Sequence, residues 1–153
     1  MRNTRTIVIE PGLRLGLAVE EESLVEIRFG DVAVGDAEHP LLNEAERQLR
    51  AYFEGRLREF DLPLKRPGTA FQESVWRMVA AIGYGRTRTY MDLARELGSP
   101  GAVRAVGAAN GANPLPIVIP CHRVVATGGG MGGYGGGVEL KRRLLALEGA
   151  ILI

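Results

Sequence analysis

Only one cysteine, Cys121, occurs in the 153 residues, so no intrachain disulfide can staple the fold. Histidine is nearly as scarce. His39 and His122 lie far apart in the chain, in no spacing that zinc sites use, and neither a metal nor another cofactor is expected. No apolar run approaches the ~20 residues that cross a bilayer, the longest being Leu115 to Cys121. Met1 to Glu10 lacks the apolar centre of a secretory signal, which predicts a cytoplasmic protein with no membrane partner. Lysine is almost missing too, since 17 of the 19 basic residues are arginine.

What remains is enough for a globular fold, because 46% of the residues are hydrophobic and 24% charged. The net charge of +1 hides an asymmetry. Residues 1–66 carry 10 basic and 13 acidic side chains, whereas residues 67–153 carry 9 and 5. A basic second half suits a polyanionic partner without requiring one.

The chain divides near Lys65-Arg66-Pro67-Gly68, giving domains over 1–66 and 67–153. In the first, Thr6–Glu10, Leu13–Glu20 and Leu24–Gly30 read as strands, with Pro11-Gly12 and Glu21-Glu22-Ser23 as turns. Helical spacing runs from Pro40 to a stop at Gly55, and Arg58–Leu64 adds a possible fourth strand. This is a small α/β scaffold, a three-stranded sheet with a helix, and it concentrates no chemistry.

The second domain reads as helical. Thr69 and Gln72 form a capping box for a helix ending at Gly83, with Phe71, Val75, Met78, Val79 and Ile82 on one face. Thr89 caps a short helix that stops at Gly98. Ser99-Pro100 then opens a third, through Asn110, with Gly111 as its stop. Two short helices around a Gly-Ser-Pro-Gly turn make a helix-turn-helix, here in a winged-helix-like domain. The third helix is rich in alanine and glycine, with only Arg104 and Asn110 as side chains able to read a base. From the segment alone, an ordinary alanine-rich core helix is as good a reading.

Beyond it, Ile117-Val118-Ile119 reads as a buried extended segment leading to Pro120, Cys121 and His122. A lone cysteine is more often a small buried hydrophobe than a reactive thiol. A proline before it and an imidazole after it favour the second. Eight of the ten residues from Gly128 to Gly137 are glycine, a loop whose backbone can approach a ligand closely. No Gly-Lys-Ser/Thr follows, which leaves a phosphate cradle weakly supported. Val138–Glu148 reads as an amphipathic helix with Lys141-Arg142-Arg143 on its polar face.

Ile119-Pro120-Cys121-His122-Arg123-Val124 resembles the active-site signature of the O6-alkylguanine-DNA alkyltransferases. The same order of motifs continues through Gly68–Gln72, Thr89-Tyr90, Ala105-Val106-Gly107, Asn113-Pro114, Gly133-Tyr134 and Leu145–Gly149. In the first 67 residues the likeness is looser and rests on Tyr52-Phe53-Glu54-Gly55.

The resemblance implies transfer of an alkyl group from O6 of a flipped guanine in duplex DNA to Cys121. The second domain would then hold both DNA binding and alkyl transfer. The resemblance assigns His122 as a base acting through a water and Glu148 as the group orienting it. Tyr90 matches a tyrosine that donates to the base ring, and Asn113 an asparagine tying the helix-turn-helix to the reactive segment. Arg104 matches the residue that fills the vacated stack, with the helix docked in the minor groove. Tyr134 and the backbone near Val124 and Gly135 would line the base pocket, and Thr89 would contact DNA. Gly135 replaces a serine and Gly111 a second arginine of some relatives, and the metal site of some relatives has no ligands here. With no second thiol to reverse a thioether, one transfer per chain by a monomer is expected. A nonenzymatic damage-binding protein would lack the cysteine, and a Cys-His hydrolase would need an oxyanion hole that the sequence does not display.

Overall fold

The computed structural model describes residues 1–30 and 35–150 and separates into two compact units, Met1–Arg66 and Pro67–Ile153. In the first, β1 (Arg2–Glu10), β2 (Leu13–Glu20) and β3 (Ser23–Phe29) form an antiparallel sheet in the order β1-β2-β3. Gly12 takes a positive φ of 87° in the first tight turn, where a side chain would be strained. Helix α1 (Pro40–Phe53) packs on the sheet and buries Leu42, Ala45, Leu49 and Tyr52 with Ile7, Leu15, Leu17, Leu24 and Ile27. His39 caps this helix, its Nδ1 accepting from the Leu41 amide at 3.1 Å. That disposes of one histidine as structural.

Arg58–Leu64 does not become a strand. Only an isolated bridge joins Leu64 to Leu24, with Leu24 N–H donating to Pro63 O and Lys65 N–H to Leu24 O. Pro63 has no amide proton, which interrupts any longer ladder.

The second unit carries α2 (Ala70–Ala80), β4 (Arg88–Thr89), α3 (Tyr90–Glu96), α4 (Val103–Gly111), β5 (Val124–Val125) and α5 (Val138–Leu147). The capping box expected at Thr69 is present, and the cap expected at Thr89 proves to be a second box. Thr69 pairs with Gln72, and Thr89 with Asp92, each satisfying two otherwise orphaned amides. Helices α3 and α4 are the helix-turn-helix, joined by a 3₁₀ turn over Pro100–Ala102. Ser99 makes no side-chain cap bond, and Gly111 is the last residue of α4 rather than its stop, Ala112 being the cap. The buried Trp76 was not on the expected face of α2. Its indole Nε1 donates to Ala109 O at 2.8 Å and locks α2 to the end of α4. β4 and β5 pair in parallel, Arg88 beside Val124 and Thr89 beside Val125.

Two local conformations differ from expectation around the cysteine. Ile117 is not extended. It adopts φ 75° in a tight turn closed by Ile119 N–H donating to Leu115 O. For a β-branched residue this is strained backbone, costing roughly 1–3 kcal/mol, held by the burial of Leu115, Ile117 and Ile119 around it. Pro120 follows with φ −79° and ψ 64°, an inverse γ-turn in which Cys121 N–H donates to Ile119 O at 2.7 Å. Cys121–Arg123 is then a 3₁₀ turn rather than a strand. Successive residues of such a turn point about a third of a revolution apart, so Cys121 and His122 still face different neighbours.

Candidate active site

The 3₁₀ turn aims three consecutive side chains at three different tasks, and all three are buried. Cys121 is 6% exposed. Burial pushes its thiol pKa up; the Asn113 amide, the Lys141 ammonium and its own backbone N–H pull the other way, and burial wins. The resting sulfur is therefore a protonated thiol, and it needs a base before it can act as a nucleophile.

His122 supplies one. Burial drives its pKa below the usual value, opposed by the hydrogen bond and charge of Glu148 and assisted by the charges of Arg123 and Lys141. The ring is accordingly a neutral imidazole. Its Nε2 lies 2.8 Å from Glu148 Oε2, and a carboxylate only accepts, so Nε2 carries the proton and Nδ1 keeps its lone pair. That Nδ1 is buried and has no hydrogen-bond partner among the described residues. The basic atom is thereby identified.

Glu148 is held by more than the histidine. Arg123, which sequence reasoning passed over, donates Nε to Glu148 Oε1 at 2.8 Å and Nη2 to Oε2 at 3.0 Å, with Nη1 on Ile82 O at 2.6 Å. A two-pronged guanidinium–carboxylate pair fixes the carboxylate in plane and direction. The chain end of α5 makes this possible. Glu148 is the C-cap, Gly149 follows at φ 75°, and Ala150 N–H donates to Leu145 O at 2.8 Å.

Lys141 corrects the expected polar face of α5, for it is 0% exposed. Its Nζ donates to Val124 O at 2.7 Å and to Gly133 O at 3.2 Å, and lies 5.8 Å from the centre of the Tyr90 ring. The signal was in the sequence: Lys141 precedes Leu144, Leu145 and Glu148 by three, four and seven residues, which is one helical stripe. Burial lowers its pKa to about 8, against a smaller opposing pull from Cys121. The folded protein thus binds fewer protons here than the unfolded chain between about pH 8 and the ordinary 10.5. Stability linked to Lys141 is full above that window and is lost as pH falls through it. Measured against Lys141→Met in urea titrations, the wild type gains stability as pH rises from 8 to 10. A constant difference between the two would contradict the burial assignment.

The other expected site residues fall into two groups. Tyr90, Asn113, Tyr134 and Val124 gather around the turn. Asn113 Nδ2 donates to Ile119 O at 2.8 Å while its Oδ1 accepts from Leu115 N, tying the segment after α4 to the run into Cys121. Tyr134 packs edge-on against His122, ring centres 6.3 Å apart. Val124 is buried, and its carbonyl takes the Lys141 bond. Tyr90 opens α3, and burial followed by the charge of Cys121 raises its phenol pKa. Arg104, Gly135 and Thr89 stand apart. Arg104 is exposed on α4, with no ion pair among the described residues, and Gly135 is exposed in the glycine loop. Thr89 spends its hydroxyl oxygen on the cap of α3. Asn110, considered above as a groove-reading side chain, is buried instead.

Chemically, the turn offers a buried thiol, a neutral imidazole with a free lone pair and a phenol, with an ammonium that favours an anion on the sulfur. No group of three or more His, Cys, Asp or Glu that could hold a metal occurs among the described residues. No described helix is long and apolar enough to cross a membrane.

Two family models cover the chain. Residues 70–150 match the DNA binding domain of 6-O-methylguanine DNA methyltransferase, and residues 14–66 its ribonuclease-like domain. A methylated-DNA–protein-cysteine methyltransferase of Mycolicibacterium paratuberculosis is 47% identical over 150 residues, covering 94% of this chain and 90% of the relative. The protein of that name from Methanosarcina acetivorans is 45% identical, covering 88% and 90%. The crystal structure of Mycobacterium tuberculosis OGT in complex with DNA superposes with a TM-score of 0.88 at 43% identity, over 97% of this chain and 93% of that one.

Proposed function

The chain belongs to the 6-O-methylguanine DNA methyltransferase family, and from that membership we propose that it repairs duplex DNA by direct reversal, moving the methyl group of O6-methylguanine onto Cys121. It is a methylated-DNA–protein-cysteine methyltransferase, a reactant consumed in its own reaction. The observation that carries the assignment of roles is the hydrogen-bonded line Arg123–Glu148–His122 beside a buried thiol.

The Cys121 proton passes to His122 Nδ1 through a water. The resulting thiolate attacks the methyl carbon, a sulfur–carbon bond forms, and the carbon–O6 bond breaks with its electron pair going to the base. The departing base takes the proton of the Tyr90 hydroxyl, and the proton left on His122 replaces it through solvent. Thiol and methylated base become thioether and guanine, with no co-reactant needed. His122 is suited to this because burial keeps it neutral, and Lys141 offsets the charge on the sulfur. No second cysteine is present to attack the product, and a thioether is not opened by thiols.

Access to the base requires flipping, since the alkyl carbon is out of reach inside a stacked duplex. The exposed face of α4 consists of Arg104 with Ala105, Ala108 and Gly111, small enough for the helix backbone to approach a narrow groove. Arg104 is the side chain placed to enter the stack. Residues 67–150 carry both the DNA surface and the transfer site, and 1–66 is the scaffold. The protein acts on DNA in the cytoplasm as a monomer.

Mixing the protein with a twofold excess of O6-methylguanine duplex and weighing the intact chain tests this directly. A gain of one methyl group, located on Cys121 and never exceeded, is expected. An unmodified chain, or continued removal of methyl groups beyond one per chain, would overturn the assignment.

A further inference from the structure

We propose that Tyr84 is a positioning residue for alkyl transfer, its ring covering the Arg123 guanidinium and its hydroxyl tied to the end of α5, so that the line from Arg123 through Glu148 to His122 is held in place and out of water. The inference rests on the alkyl-transfer reading of Cys121 and deepens it.

Tyr84 lies in the turn that follows α2, and that turn touches both members of the buried ion pair. Ile82 O accepts from Arg123 Nη1 at 2.6 Å. Arg123 Cζ stands over the Tyr84 ring, 5.7 Å from its centre, within the range of a cation–π contact. The Tyr84 hydroxyl donates to Leu147 O at 3.3 Å, beside Glu148 in the chain. Leu147 closes α5, where helix geometry leaves the last carbonyls without an intrahelical donor. Gly85 follows at φ 80°, and a Cβ there would lie 3.0 Å from Glu148 O, so the turn passes against the backbone of the carboxylate residue.

The ring has a task that hydrogen bonds cannot perform. The N–H groups of a guanidinium lie in its plane, and Arg123 directs Nε and Nη2 at Glu148 and Nη1 at Ile82. Its edges are thereby held, while its flat face is left for packing to keep from water. An aromatic ring does so with its negative face toward the cation. Water admitted there would screen the charge of Arg123 and hydrate the Glu148 carboxylate, weakening the grip that orients His122. It would also change when the base is protonated. Burial, first, and the charge of Arg123 hold the His122 pKa down, so loosening either raises it and protonates the imidazole at a higher pH. The groups around His122 are Glu148 and Lys141 from α5, its chain neighbours Cys121 and Arg123, and Tyr134 from the glycine loop. Among all of these only the imidazole ordinarily titrates between pH 5 and 8.

The test is single-turnover transfer from an O6-methylguanine duplex to Tyr84→Phe, which keeps the ring, and to Tyr84→Ala, which removes it. Each is followed from pH 5 to pH 8 beside the wild type. Tyr84→Ala is expected to slow transfer about tenfold at pH 7, and the pH of its half-maximal rate to move up by about one unit. Tyr84→Phe should keep the wild-type pH profile and most of the rate. In a Glu148→Gln background, Tyr84→Ala should add no further slowing, because the line it protects is already cut. The proposal is overturned if Tyr84→Ala keeps the wild-type pH profile, whatever its melting temperature, if Tyr84→Phe is as slow as Tyr84→Ala, or if the double variant is slower still. A wild type that takes up no methyl group overturns the alkyl-transfer reading itself. Should Tyr84→Ala melt below the assay temperature, Tyr84→Leu, which fills the space without a ring, is judged by the same readouts in its place.

Discussion

With Cys121 replaced by alanine, the protein is expected to bind methylated duplex DNA as before and to leave every lesion in place. No other thiol exists in the chain to take the methyl group. The remaining groups at the site are poor substitutes: His122 has its Nε2 on Glu148, and the Lys141 ammonium spends its protons on Val124 O and Gly133 O. Serine at 121 should fail too, because His122 is not a strong enough base to leave a useful fraction of alkoxide on an alcohol. The surface attributed to DNA contact is on α4, whose exposed residues do not include Cys121, so affinity and transfer separate cleanly. Filter binding or fluorescence anisotropy gives the first quantity and intact mass the second. Methyl uptake by Cys121→Ala would mean that the sulfur is not the acceptor.

Glu148→Ala is expected to be the most destabilising single change at the site. The carboxylate receives two bonds from Arg123 and one from His122, all out of solvent. Its removal leaves a buried guanidinium without its anion, a loss of about 3–5 kcal/mol for breaking a buried pair from one side. For a chain of this length that lowers the melting temperature by roughly 10 °C. Transfer should suffer beyond the loss of fold. Without the carboxylate nothing holds the proton on Nε2, so the imidazole can present a proton rather than a lone pair toward the thiol side. A fall in rate of about a hundredfold or more is the expected scale for removing an oriented general base. Glu148→Gln separates the two effects, since its amide oxygen still accepts from one partner while the charge is gone. It should regain part of the melting temperature and little of the rate. A variant that melts normally and transfers at the wild-type rate would show that the carboxylate neither orients the base nor neutralises Arg123.

Much of this arrangement is legible in the amino-acid order because it is local. Thr69 and Gln72, or Thr89 and Asp92, are three residues apart, and a capping box needs nothing further away. The strands of the first unit follow from alternation between turns, and the stop of α5 from Gly149. Cys121 and His122 announce themselves as adjacent residues, and the resemblance of the run around them supplied Glu148. Where the reading failed, it failed at positions decided by burial and packing rather than by residue type. Ile117 reads as strand from its composition, yet its turn is imposed by Leu115 and Ile119 closing on each other under burial. Lys141 reads as surface because lysine mostly is. The spacing within α5 puts it on the inward stripe with Leu144, Leu145 and Glu148, but the carbonyls of Val124 and Gly133 that take its protons lie in other segments and only the fold brings them there.

By itself, then, the order of residues determined the three strands of the sheet, the main helices, the capping box at Thr69, the single available nucleophile and the imidazole beside it. The fold alone decided what protonation state each group holds. The thiol is pushed up by burial, the imidazole pushed down, and the carboxylate pinned by an arginine 25 residues away in the chain. Acidity in a protein is set by desolvation and by charges a few ångströms off, and those distances exist only once the chain has closed on itself.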